Sequence, residues 1–348
     1  MVRYSKIHYE KEGIYMNAMV IHQYGNSSEF QKIDVPYPFP KGNQILVKVA
    51  ATSVNPIDTK IRKGVVQNAF QPNFPMILHS DFSGEIVEIG ESVSRFTVGD
   101  LVYGFNASGG ALSDFLLVDE SILAKAPKNI QIQDSASLPL TSITAWEALV
   151  DRGNLKAGDH ILIHGGTGGV GHVAIQLAKS LGATVSTTVS SNEKASLVKS
   201  LGVDHVINYK EESVLEYVER LTNGKGFDVV FDTVGTDNLD KSFQAVKQKG
   251  TVLAIAARST HDLTPLHSKS LSLHVIFIML TQKTEEGRKE HGAILHKIAN
   301  LVEDEKVKPL INPKRFTYEE ISEAHDYFEN KEVEYGKVIV ENQSFKIE

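Results

Sequence analysis

The chain has 348 residues, 41% of them hydrophobic, and a formal net charge of -7. That length and composition suit two buried cores, and the acidic balance with no basic stripe argues against a nucleic-acid surface, which needs clustered Lys and Arg. Cysteine is absent, which removes disulfides, thiolate metal ligands and nucleophilic thiols. No long apolar run or basic leader pattern occurs, so no membrane partner is indicated and a cytoplasmic location is expected.

Residues 1–15 are mostly polar without a sustained period and read as an N-terminal extension. From Met16 to about residue 140 the pattern is short strands and turns: MVIHQYG, a proline-rich connection, then ILVKVAATSV, FSGEIVEIGESVSRFTVGDLVYGF and DFLLVDESILAKAP. A compact β domain is expected there. From Ser137 the character turns helical, with Ala145, Trp146 and Leu149 leading into the next unit.

That unit, residues 159–183, carries the clearest chemistry. Ile161, Leu162 and Ile163 form a short apolar run, as in a strand covered on both faces. Gly166, Gly168 and Gly171 then fit G-x-G-x-x-G, with Thr167, Gly169 and Val170 between them. In that pattern the first glycine permits a tight turn, the second lets the backbone approach a pyrophosphate, and the third lets helix and strand pack closely. Val170, Val173, Ala174, Leu177, Ala178 and Leu181 recur at helical spacing, which puts an apolar face on the sheet and free N–H groups at the helix start. Gly182 marks the helix end.

Strand and helix then alternate: Ala183–Val189 strand, Asn192–Leu201 helix, His205–Asn208 strand, Glu211–Leu221 helix, Phe227–Asp232 strand, Asn238–Lys247 helix and Thr251–Ala256 strand. The expected fold class is therefore α/β, with a doubly wound parallel sheet. Leu271–Leu280 is the most apolar segment and is expected to close the sheet as an edge strand, which invites pairing with a second copy. An amphipathic helix in 286–307, a second over Tyr318–Asn330, and a last strand in YGKVIVE complete the chain.

Six stretches, SVNPIDTKIRKG, ILHSDFSGEIVEIG, LPLTSITAWEAL, HGGTGGVG, FDVVFDTVG and YGKVIVE, together resemble the medium-chain dehydrogenase/reductases, and within them the zinc-independent quinone oxidoreductases related to zeta-crystallin. The resemblance covers nearly everything from Met16 onward. It implies a GroES-like β-barrel catalytic domain (residues 16–140, with 281–348 returning to it), a Rossmann coenzyme domain (141–280), a cleft between them, and homodimers formed at the Leu271–Leu280 edge.

In the zinc-dependent relatives two cysteines and a histidine hold the catalytic metal, and the matching positions here are Asn55, Ser80 and Leu140. None can supply a thiolate, so no metal is expected. Asp58, His79 and Asp81 are the set from which a replacement metal site could be assembled, although His79 reads better as a packing or coenzyme-edge residue.

The end of the second strand, TTVSSNEK, offers no acid at Val189, Ser190 or Ser191 to hold a ribose 2′-hydroxyl. Lys194 follows, suited to a 2′-phosphate, and Glu193 beside it can point away. The resemblance adds Tyr209 at the same phosphate, so NADPH is the expected coenzyme. Asp232, Val234 and Gly235 end the fourth strand, and Ala256 and Arg258 the next; all are expected to flank the coenzyme, with Asp232 equally suited to capping a helix.

Asn55 and Thr144 match positions near the nicotinamide, where they would orient the ring or donate to a bound carbonyl. Lys60, a third candidate donor, stands where the resembled family carries a tyrosine, which leaves the substrate lining open. Lys337 could contact a phosphate or the cleft, but is read as an exposed strand lysine. The expected activity is metal-free, NADPH-dependent hydride transfer to a quinone or related conjugated carbonyl. A 2-alkenal or enone double-bond reductase and a non-catalytic NADPH-binding protein are the competing readings.

Overall fold

Residues 13–67 and 73–347 are described by a computed structural model. Residues 1–12, most of the expected N-terminal extension, lie outside it, and Tyr15 already belongs to the first strand.

The N-terminal part is built of β1 (Tyr15–Ile21), β2 (Gln31–Pro36), β3 (Gln44–Ser53), β4 (Met76–Ile77), β5 (Asp81–Ile89), β6 (Leu101–Phe105), β7 (Phe115–Asp119) and β8 (Leu123–Lys125). Apolar side chains of these strands, among them Ile45, Val47, Phe82, Ile86 and Val102, are fully buried in one core. That burial selects the strand register, since a one-residue slip would turn each of them outward. One short helix, Pro56–Arg62, interrupts the strands, with Pro56 at its first position, where a missing N–H costs nothing.

The central part contains β9 (His160–Ile163), β10 (Thr184–Val189), β11 (His205–Asn208), β12 (Phe227–Asp232), β13 (Val246–Ala254) and β14 (Ser272–Val275). They form one parallel sheet in the order β11-β10-β9-β12-β13-β14. This is the doubly wound Rossmann order, and its direction reverses between β9 and β12. The crevice at the carboxyl ends of those two strands is where such sheets take ligands. β15 (Phe316–Thr317) and β16 (Ile339–Glu341) return to the N-terminal part, where β16 pairs with β3. No described helix is long and apolar enough to cross a membrane.

Several expected elements differ. Only Ser272–Val275 of the Leu271–Leu280 segment is strand; Ile278–Thr281 turns helical and buries Ile278 and Met279. The helix expected from Glu211 starts at Val214, because Ser213 caps it and Glu216 returns the bond in a capping box. The helix Asn238–Ala245 stops early and β13 starts at Val246. Only Ile339–Glu341 of YGKVIVE is strand.

The helix Gly169–Ser180 departs most from its expected one-sided character. Gly171 through Ala178 are all buried, including His172 and Gln176. The apolar face lies on the sheet, and the opposite face is covered by other segments: Gln176 Nε2 donates to Lys308 O at 3.0 Å, and Lys308 N–H donates to Gln176 Oε1 at 2.8 Å. The largest core likewise runs across both parts, joining Tyr103 and Phe105 to Ile163, Val173, Leu295 and Ile298.

Candidate active site and coenzyme crevice

The glycine turn divides its work differently from the expected assignment. The left-handed residue is Gly165, at φ +73, so the sharp turn belongs to it. Gly166 is needed for close approach to β10, since a Cβ there would lie 2.3 Å from Thr187 Oγ1. A Cβ on Gly171 would stand 2.2 Å from Gly165 O, the tight strand–helix contact expected of the third glycine. Gly168 faces open space apart from Gly165 O at 3.2 Å, and it begins the helix without a side-chain cap. Uncapped N–H groups beside an open approach fit an anionic pyrophosphate.

The strand ends beside the turn gather the second group. β10 pairs with β11 through Val189 and Asn208, and Tyr209 N–H donates to Val189 O at 3.2 Å. Ser190, Ser191, Lys194 and Tyr209 therefore meet at one sheet edge, with Tyr209 53% exposed. Ser191 caps the next helix by accepting from Lys194 N–H. The neighbouring Ser191 hydroxyl holds the Glu193 carboxyl below its ordinary range.

Across the crevice Asp232 holds its own turn and caps no helix: the helix Asn238–Ala245 has Asp237 at its N-cap, with no side-chain cap bond. Asp232 Oδ1 accepts from the N–H groups of Val234 at 2.8 Å and Gly235 at 2.7 Å, and its Oδ2 from Asn238 at 3.0 Å and Ser242 at 2.8 Å. Fully committed and buried, Asp232 shapes the turn and leaves the crevice edge to Val234, which is half exposed. Gly235 packs under Ala256, where a Cβ would lie 2.3 Å from Ala256 O, and Arg258 is exposed beyond it.

A buried polar cluster faces the glycine turn from the N-terminal part. Asp81 is its centre: Ser53 Oγ donates to Oδ2 at 2.9 Å, Asn55 Nδ2 to Oδ2 at 2.8 Å, and Leu140 N–H to Oδ1 at 2.7 Å. Lys337 is 4% exposed, which overturns its reading as a surface lysine. Its ammonium donates to Asn55 Oδ1 and, at 3.1 Å, to Val54 O, and stands 3.6 Å from Asp81 Oδ2. Burial lowers its pKa against the pull of Asp81 and Asp58.

Asn55 is consequently 1% exposed, with its amide oxygen on Lys337 and its amide nitrogen on Asp81. It is placed to hold the cluster, not to donate to a carbonyl in the cleft. Thr144 lies 5% exposed on the helix Pro139–Trp146. Lys60 is exposed on the helix Pro56–Arg62 and takes no part in the cluster. Asp58 Oδ2 accepts from Asn55 N–H at 2.8 Å, while its Oδ1 is buried without a partner. Burial, with Asp81 close by, raises its pKa to about 7.

Behind the cluster runs a second chain of bonds. Arg62 Nε donates to His325 Nδ1 at 3.2 Å, so the His325 proton sits on Nε2, which faces His79 Nε2 at 2.9 Å. His79 must then carry its own proton on Nδ1, 3.1 Å from Thr52 Oγ1, and Thr52 donates to Asp81 O at 2.6 Å. Both nitrogens of His79 are engaged away from the carboxylates, so Asp58, His79 and Asp81 do not converge as metal ligands. No three His, Asp or Glu residues that could hold a metal are grouped among the described residues.

Residues 41–128 match the alcohol dehydrogenase GroES-like domain family, and residues 169–289 the zinc-binding dehydrogenase family. The chain is 34% identical to the NADPH-dependent alkenal/one oxidoreductase, chloroplastic, of Arabidopsis thaliana, over 93% of this chain and 79% of that protein. It is 28% identical to the quinone oxidoreductase of Homo sapiens, over 93% of this chain and 97% of that protein. Among solved structures, an alcohol dehydrogenase superfamily protein from Novosphingobium aromaticivorans superposes with a TM-score of 0.87 at 36% identity, covering 94% of this chain and 99% of that one. The Escherichia coli quinone oxidoreductase complexed with NADPH superposes with a TM-score of 0.82 at 26% identity, covering 93% and 99%.

Proposed function

As the chain belongs to the medium-chain dehydrogenase/reductases, in their quinone oxidoreductase branch, we propose that it is an NADPH-dependent reductase of quinones and related enones that works without zinc. The observation that carries this reading is the glycine turn, open at Gly168, with Ser190, Ser191, Lys194 and Tyr209 at the adjoining strand ends. Uncapped N–H groups suit the pyrophosphate, and one cation with two hydroxyls suits the 2′-phosphate. The relative complexed with NADPH supports the same coenzyme.

Bound coenzyme supplies a hydride to an electron-poor acceptor. The residues of the chain bind and orient around that transfer. Of the two donors expected near the nicotinamide, Thr144 remains as the candidate for a carbonyl oxygen, because Asn55 is consumed by Asp81 and Lys337. Asp58 is the carboxyl of the cluster that exchanges its proton near neutral pH. The zinc positions, Asn55, Ser80 and Leu140, supply an amide, a hydroxyl and an aliphatic group, which do not fit zinc. Oxidation of a simple alcohol needs an alkoxide stabilised by strong positive charge, whereas a conjugated acceptor spreads the incoming charge itself.

The alkenal/one relative favours enones as a second acceptor class. A homodimer through the β14 edge belongs to the same reading, supported by the exposed Val275 on the outer strand of the sheet and the exposed Leu280 on the short helix after it. Steady-state rates with NADPH on quinones and enones, and with NADP⁺ on ethanol, test the proposal together with elemental analysis. Reduction of quinones or enones by metal-free protein is expected. Brisk ethanol oxidation, or one zinc per chain, overturns it.

A further inference from the structure

Two passes of the C-terminal chain lie between the coenzyme helix and the buried cluster. The first, at Lys308, is held on both backbone groups by the Gln176 amide. The second, at Gly336–Lys337, is tied to the glycine turn by Gly336 N–H donating to Thr167 O at 2.8 Å. The passes are bonded to each other, Lys337 N–H to Leu310 O and Asn312 N–H to Lys337 O, each at 2.9 Å. Gly336 makes this possible: it sits at φ +71, and a Cβ there would lie 2.5 Å from Leu310 O.

Lys337 spans the gap. A Cβ on Gly169 would stand 3.0 Å from Lys337 Cδ, so the methylene stem is packed against the turn. The ammonium end belongs to the other domain, on Asn55 Oδ1, Val54 O and Asp81. Turning it toward solvent or toward a phosphate would leave Asp81 buried without its cation, which makes the link stiff.

We propose that Lys337 is a positioning residue that couples occupancy of the coenzyme turn to the placement of Asn55 and Asp81. Its methylenes pack on the turn and its ammonium holds the cluster, so a dinucleotide that orders Thr167–Gly169 also orders the helix Pro56–Arg62. The coupling rests on the reading that NADPH binds this turn, and it is reciprocal, since each site biases the other equally.

Two substitutions separate the halves of the side chain. Lys337→Met keeps the stem and removes the ammonium; Lys337→Ala removes both. NADPH affinity is measured by binding titration without acceptor, and amide exchange is followed over Ile57–Arg62 with and without NADPH. In the parent protein NADPH slows that exchange. In Lys337→Met the NADPH dissociation constant stays within about threefold, the slowing disappears, and kcat falls about tenfold with little change in KM. Lys337→Ala weakens NADPH about tenfold as well.

A loss of NADPH affinity above about threefold in Lys337→Met overturns the proposal, because the ammonium would then act on the coenzyme itself. Retained slowing in that variant also overturns it. Should Lys337→Met fail to fold, Lys337→Met with Asp81→Asn removes both buried charges and must give the same separation. A parent protein that binds NADPH yet reduces neither quinones nor enones defeats the reductase reading alone, since the exchange measurement judges the coupling without turnover.

Discussion

His79 and His325 meet through their Nε2 atoms at 2.9 Å, with ring centroids 5.2 Å apart and 30° between the planes. Each has an acceptor role that requires a lone pair, so the pair is neutral in the fold. Burial and then Lys337 push His79 down to about 3; burial, His79 and Arg62 hold His325 well below its ordinary value. His79 also keeps a left-handed backbone, φ 66, which a histidine accepts only where its surroundings demand it.

The fold should therefore lose stability in mild acid. Unfolded histidines take up protons near pH 6.5 while the buried ones do not, so their contribution is full above that value and falls as pH drops toward the folded values. At pH 5 each costs about 2 kcal/mol. His164 and His172, both lowered by burial to about 4, add to the effect. Asp58 opposes it: its raised pKa makes its ionised form costly above about 7, and acidification to pH 5 relieves about 3 kcal/mol. The four histidines outweigh the one carboxyl, and urea midpoints at pH 7.5 and 5.0 check the sign. Unchanged or higher stability at pH 5.0 would contradict the neutral pair.

Gly171→Ala and Gly168→Ala should separate sharply. A methyl at Gly171 falls 2.2 Å from Gly165 O and forces the helix off the strand, which costs several kcal/mol and coenzyme affinity together, whereas at Gly168 the nearest atom is 3.2 Å away. Thermal melts should show a large loss for the first and about 1 kcal/mol or less for the second. NADPH titration of Gly168→Ala then reports the approach of the pyrophosphate without a folding defect.

Asn55→Ala removes a shared partner of Asp81 and Lys337, and a stability loss of about 3 kcal/mol is expected. Its kcat loss should be non-additive with that of Lys337→Met, because the two residues act through one network. Additive losses, with stability untouched, would restore Asn55 as an independent donor to substrate.

Lys194→Ala should weaken NADPH about tenfold or more and leave NADH nearly unchanged, the effect of one charge-assisted contact. Glu193→Gln should act in the opposite sense, since Ser191 draws that carboxyl toward the same strand end. Equal loss of both coenzymes in Lys194→Ala would mean that the lysine acts through the helix instead.

The sequence by itself determined the alternation of strand and helix, the glycine turn and the division into a β-rich and a doubly wound part. Those features are written in neighbouring residues: β11 and β12 span the residues expected of them, His205–Asn208 and Phe227–Asp232, and glycine spacing marks a turn without reference to distant chain. It also marked Ser190, Ser191, Lys194 and Tyr209, which adjacent strand ends necessarily bring together. Tertiary structure decided what each polar side chain is bonded to. Lys337 looks like any strand lysine until β16 pairs with β3 and carries it to Asn55, 282 positions away. Asn55 reads as a donor until Asp81 and Lys337 claim its amide, and Asp232 is committed to its own turn only when that turn folds back on it. His172 and Gln176 belong to a helix that looked one-sided, because the segment that covers its other face lies more than a hundred residues on. Periodicity is a property of nearest neighbours along the chain, while burial and charge pairing are properties of whichever segments fold against each other.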